Sequence, residues 1–142
     1  MNMRMKVQIL QTTFKNSFTY GQLCLYLHVS KNQKFRTVIT YKHYFEEFFV
    51  KQRQKVKDKI IWTLDLIEEI DRVPETYLQH MQGGVYEVRV KLGSDIFRIF
   101  CFFDQEKLIV LANGFQKKTQ KTPKQEIEKA LKIKKEYEDE RK

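Results

Sequence analysis

The sequence predicts an α+β domain built on a small antiparallel sheet, in the order strand, two helices, three-stranded meander and C-terminal helix. Three observations predict it. Residues 85–114 carry three strand-like runs separated by short polar turns; apolar stripes at helical spacing precede them; and a Thr-Pro pair opens a charged amphipathic stretch after them. With 142 residues, 42% hydrophobic and 13% aromatic, the chain can bury one core and is too apolar for disorder.

Residues 1–34 are the least patterned part. They hold Arg4, Lys6, Lys15, Lys31 and Lys34 and no acidic residue, which is more than half of the formal charge of +9. An extra strand near Gln22–Val29, a basic arm and a leader ahead of the domain all fit. The leader is preferred, because sustained patterning starts at Phe35, so the domain is expected over 35–142 and residues 1–34 as a basic extension outside it. Phe35 to Tyr41 is β-branched and aromatic, hence a strand. Phe45, Phe48 and Phe49 then mark a short helix. Val56, Ile60, Leu64, Ile67 and Ile70 mark a longer one, with Lys57, Asp58, Glu68 and Glu69 off its stripe. Both helices are expected on one face of the sheet, leaving the other free. Asp71 to Gly84 reads as loop.

In the meander, Val85 to Lys91 alternates, with Tyr86, Val88 and Val90 on one face and Glu87, Arg89 and Lys91 on the other. Ile96 to Phe103 is apolar on both faces except for Arg98, and Leu108 to Gly114 is almost wholly apolar. A turn over Leu92–Asp95 would pair Lys91 with Ile96 and set Arg89 opposite Arg98. Directly opposed like charges are unfavourable unless an anion lies between them. The third strand would return Phe115, Gln116, Lys117 and Lys118 to the same sheet end. Convergent guanidinium and ammonium groups suggest a phosphate-binding surface. Thr122 then reads as N-cap, Pro123 as the first helical residue and Gln125 as the partner in a capping box; Ile127, Ala130, Leu131 and Tyr137 supply the apolar side.

Other chemistries lack their residues. The chain has no phosphate-binding loop of the G-x-x-x-x-G-K-[ST] type and no G-x-G-x-x-G. His28, His43 and His80 are scattered, and Cys24 and Cys101 do not have zinc spacing, so no metal or other cofactor is implied. Ser17, Ser30 and Ser94 have no nucleophile-turn context. No run approaches the ~18 apolar residues of a membrane span, and the sparse cysteines suit a reducing, cytoplasmic setting.

Glu87-Val88-Arg89, Phe97-Arg98-Ile99-Phe100, Phe102-Phe103-Asp104, Gly114-Phe115-Gln116-Lys117-Lys118-Thr119 and Lys121-Thr122-Pro123 together resemble the RelE/ParE superfamily. Within it, the likeness is to the HigB-like (phage-derived Gp49-like) branch of type II toxins, over about residues 35–142. The resemblance implies a toxin that cuts messenger RNA on the ribosome without a metal and is silenced by a helix-turn-helix antitoxin, reaching operator DNA only through that complex. The implied reaction is attack of a ribose 2′-OH on the adjacent phosphorus. Arg98 corresponds to the core-strand arginine on the scissile phosphate, with Arg89 beside it. Lys117 and Lys118 correspond to the paired lysines that hold RNA or the leaving oxygen. Lys91, Lys121, Phe115 and Gln116 are candidate RNA contacts. Glu87 is a candidate base or the salt-bridge partner of Arg89, and His80 and Tyr86 are further acid/base candidates by position. A ParE-like gyrase inhibitor, or a non-catalytic antitoxin-binding module of the same fold, is the alternative.

Overall fold

A computed structural model describes residues 34–142. Expectations for residues 1–33, including the strand near Gln22–Val29, lie outside the described residues. The elements are β1 (Thr37–Thr40), α1 (Tyr44–Phe49), α2 (Gln54–Glu69), β2 (Leu78–His80), β3 (Val85–Leu92), β4 (Asp95–Asp104), β5 (Leu108–Lys117) and α3 (Lys124–Glu140). The class is α+β, and the element order matches the expected one with one strand added. The sheet runs β1-β5-β4-β3-β2. It is mixed rather than purely antiparallel: β1 joins parallel to β5, with Val38 opposite Ile109, while the other pairings are antiparallel. The two-helix crossover between β1 and the meander makes this possible, since parallel neighbours need a long connection.

The stretch expected as loop contains β2, which pairs Leu78, Gln79 and His80 with Val88, Glu87 and Tyr86. Three residues are too few to show a period, and β3 supplies the partner. The β3–β4 turn is as tight as anticipated. Leu92 faces Asp95, and Gly93 takes a φ of +61°, which a side chain would resist.

Each face of the sheet carries its own apolar layer. Val88, Val90, Phe97, Ile99, Cys101, Ile109 and Leu111 meet α1 and α2 through Phe45, Phe48, Phe49, Val56, Ile60 and Ile67. Fully buried side chains such as Ile60 and Ile67 each contribute roughly 2–3 kcal/mol from burial alone. Gly114 lets this layer close, because the Phe48 ring occupies the place where a Cβ would stand. The opposite face was expected to be free. Instead Val85, Phe100, Phe102, Val110 and Ala112 are covered by Ala130, Ile133 and Tyr137 of α3. A face of large apolar side chains at these positions requires such a cover.

Two polar residues depart from their sequence reading. Glu68, expected on the solvent side of α2, is 4% exposed. Its Oε1 accepts the Val38 amide at 2.7 Å and its other oxygen pairs with Lys34, so it ties the start of β1 to the helix. Thr122 does not cap α3: Pro123 is the N-cap, and no side chain closes the first turn. Among the described residues no helix is long and apolar enough to cross a membrane.

Candidate phosphate-binding site

Register puts the basic residues in two adjacent rows at one end of the sheet. Arg89 lies opposite Arg98, and Arg98 opposite Phe115; one step outward, Lys91 lies opposite Ile96, and Ile96 opposite Lys117. Because residues two apart on a strand share a face, Glu87, Arg89, Lys91, Arg98, Phe115 and Lys117 all belong to the face that α3 covers. The first fully buried residue of α3 is Ala130, beyond its opening turn. That turn is held to β5 by Asn113, whose Nδ2 donates to Glu126 O at 3.2 Å and to Glu126 Oε2 at 2.8 Å.

The anion that opposed arginines require comes from the protein itself. Glu87 is 1% exposed. Its Oε1 accepts from Arg89 Nε at 3.1 Å and lies 2.9 Å from Arg98 Nε, the latter an ion pair whose N–H is poorly aligned for a hydrogen bond. Its Oε2 accepts the Thr122 hydroxyl at 3.2 Å, which explains why that side chain is not spent on the helix. One buried carboxylate therefore orients two guanidinium groups. Burial, first, lowers the pKa of Arg98 from its ordinary value; the Glu87 charge opposes this and the Arg89 charge adds to it. Arg98 stays charged, since an arginine starts far above neutrality.

The forks are only partly consumed. Arg89 Nη2 donates to Gln79 Oε1, and Arg98 Nη1 to Phe97 O at 3.2 Å. Arg89 Nη1 and Arg98 Nη2 have no hydrogen-bond partner among the described residues. Both arginines line an open cleft of about 390 Å³, together with Lys91, Ile96, Lys59 and Tyr77. The cleft lies where β2 gives out: the Arg89 amide donates to Tyr77 O at 2.8 Å, and beyond it β3 has no outer neighbour among the described residues.

Other expected residues are placed differently. Lys118 and Lys121 are exposed on the segment leading to α3, where Thr119 Oγ1 donates to Lys121 O at 2.8 Å. Phe115 stacks on Phe100 at 5.8 Å between ring centroids. Gln116 pairs with Phe97 on the opposite face, and its amide reaches Asp95 Oδ1 at 3.4 Å. Tyr86 also packs on that opposite face, edge-on to Phe103 and to His80. Neither His80 nor Tyr86 is brought to the arginine pair. Sequence reading missed Gln79, Thr122, Lys59 and Tyr77 as neighbours of the site. Trp62 and Tyr77 did carry a signal, as aromatic residues off the apolar stripes.

Cys101 lies in the sealed helix-pair layer, where burial pushes its thiol up to about 12. Among the described residues no group of three or more His, Cys, Asp or Glu is placed to hold a metal ion.

The α+β domain thus sets a buried glutamate between two arginines at one sheet end, with lysines in the next row. Residues 47–135, more than half of the chain, match the model of the phage-derived Gp49-like protein family (DUF891). The chain belongs to that family, a RelE/ParE-like toxin family associated with toxin–antitoxin systems. No curated protein matches it.

Proposed function

We propose that the chain is the toxin of a type II pair, of the HigB-like kind, and that it acts in the cytoplasm as a metal-free endoribonuclease on messenger RNA held by the ribosome. The observation that carries the reading is the Glu87–Arg89–Arg98 triad, with one Nη on each arginine uncommitted among the described residues and Lys91 and Lys117 in the next row. The 2′-oxygen of a ribose attacks the neighbouring phosphorus and loses its proton. The 5′-oxygen of the next nucleotide leaves and gains one, so the products are a 2′,3′-cyclic phosphate and a 5′-OH. Charge builds on the non-bridging oxygens as the phosphorane forms, and preorganised donors aimed there lower the barrier most. Arg98 and Arg89 supply those donors. Lys117, with Lys118 and Lys121 on the exposed segment beyond it, holds the RNA backbone and the leaving side.

Glu87 is assigned as a positioning residue. Both its oxygens are occupied by Arg89, Arg98 and Thr122, and it has no exposed lone pair to offer a 2′-OH. A helix-turn-helix antitoxin is the expected partner, with operator DNA contacted through the complex. The test is primer extension on a reporter transcript after induction of wild type, Arg98→Gln and Lys117→Glu. New 5′ ends with wild type that disappear in both variants support the reading. Growth arrest with intact transcripts and DNA-damage signalling would assign the fold to gyrase inhibition instead. Unimpaired growth with stable antitoxin binding would assign it to a binding module.

A further inference from the structure

The cleft continues from the arginines around the margin of β3 to a second group of side chains that the phosphate grip does not use. Lys59 and Thr63 of α2 and Thr76 and Tyr77 ahead of β2 line its far part. Trp62, one helical position from Thr63, is 45% exposed although every other large aromatic of the helices packs inward or is partly covered. It meets the Tyr77 ring edge-to-face, with centroids 6.1 Å apart and an interplanar angle of 66°. The Lys59 ammonium sits 3.8 Å from the indole centroid. Trp62 falls off the Val56, Ile60, Thr63 and Ile67 stripe, so helix packing does not require an indole there.

We propose that Trp62 and Tyr77 form a stacking subsite for one nucleobase of a single-stranded RNA whose backbone is held at Arg89 and Arg98. The inference rests on the phosphate-grip reading and extends it to the base. Among the described residues four cations and no carboxylate line the cleft, which favours a polyanion over a peptide surface of mixed charge. Single-stranded bases are recognised largely by aromatic planes, because every base offers a π-face whatever its edge. The cleft, about 390 Å³, is lined by Tyr77 and Lys59, and Trp62 adjoins it through its contacts with those two side chains. Lys59 is no obstacle: an ammonium displaced from the indole by a base has the adjoining phosphate to pair with.

Trp62 is the sole tryptophan of the sequence, so intrinsic fluorescence reports on this subsite alone. The full chain is titrated at low salt with a 2′-O-methyl trinucleotide, which cannot be cleaved, and with an abasic trimer of the same charge. A 5′-labelled copy of each gives affinity by anisotropy. The trinucleotide should quench Trp62 and the abasic trimer should bind without quenching. Trp62→Ala should weaken trinucleotide binding roughly five- to hundredfold, Trp62→Phe should weaken it less, and abasic binding should not change. Equal trinucleotide binding by wild type and Trp62→Ala, without quenching, overturns the subsite and leaves the phosphate grip standing. Failure of both probes to bind in a manner sensitive to Arg98→Gln overturns the two together. Loss of antitoxin binding in Trp62→Ala, with RNA binding intact, assigns the aromatic face to the protein partner and also overturns the proposal.

Discussion

The α3-covered face ends in two charged clusters assembled from nearly the same residue types. At the arginine end, Arg89 and Arg98 share the buried carboxylate of Glu87, and Lys91 and Lys117 stand in the next row. At the other end two cations meet three carboxylates: Lys42 bridges Glu136 and Glu140, and Arg141 pairs with Asp104. Tyrosine hydroxyls complete the second cluster, Tyr44 donating to Glu136 at 2.7 Å and Tyr137 to Asp104 at 2.8 Å. The second cluster fastens the ends of β1, β4 and α3 and leaves no cation over. The first holds its cations in place while leaving them in excess. Cations matched by carboxylates serve as a fastening; fixed cations in excess are what the proposed phosphate grip needs.

The largest effect should follow from changing the shape of one cation while keeping its charge. Arg98→Lys retains a partner for Glu87 but loses the fork. Transcript cleavage should fall roughly 10²–10³-fold, with the urea midpoint nearly unmoved; equal cleavage would show that the fork is not used. Next, Glu87→Gln leaves two opposed arginines without their shared anion. Urea unfolding should lose about 3 kcal/mol, in the range for breaking a buried pair, and adding Arg89→Gln should restore part of it. An unchanged midpoint would mean that solvent alone screens the pair. Thr122→Val removes one hydroxyl from Glu87 and should cost about 1 kcal/mol, read from the same titration.

The smallest effects belong to the fastening end. Lys42→Ala should scarcely shift the melting temperature despite its two ion pairs, because exposed pairs gain little in water. Its alkaline response is the sharper probe. Burial, first, raises the Tyr137 and Tyr41 phenols above their usual 10.0, and the Glu136 hydrogen bond, first, raises Tyr44. Folded values above the unfolded ones mean that the contribution is complete below pH 10.0 and is lost as pH rises through the folded values. Stability should therefore decline above that pH, and Tyr137→Phe should make the decline shallower. A decline as steep as wild type would place the titrating group elsewhere.

How far these clusters could be read in advance differs between them. The Arg89–Arg98 opposition followed from a turn of fixed length and a strict period of two, both local properties of the chain. The family resemblance independently singled out the same residues. That Glu87 would turn inward to serve both arginines was not legible. A carboxylate two residues from an arginine reads the same whether it faces solvent or a sealed sheet face, and α3, far along the chain, does the sealing. Thr122 shows the same limit. Its neighbours Pro123 and Gln125 spell a helix start, yet its hydroxyl is diverted by a strand 35 residues away. Strand β2 and the parallel seat of β1 were likewise decided by partners, not by their own few residues. The fastening cluster could not be foreseen, since Lys42 meets Glu136 and Glu140 only after the sheet has formed.

The glutamate beneath the arginines also bears on timing. A surface that borrowed its counter-ion from solution would fold in one arrangement and rearrange when a polyanion displaced that ion. Here the negative partner is covalently part of the same sheet, so the two cationic arms are set to their spacing when the chain closes. On the proposed reading, engagement with an RNA backbone then has no reorganisation to wait for.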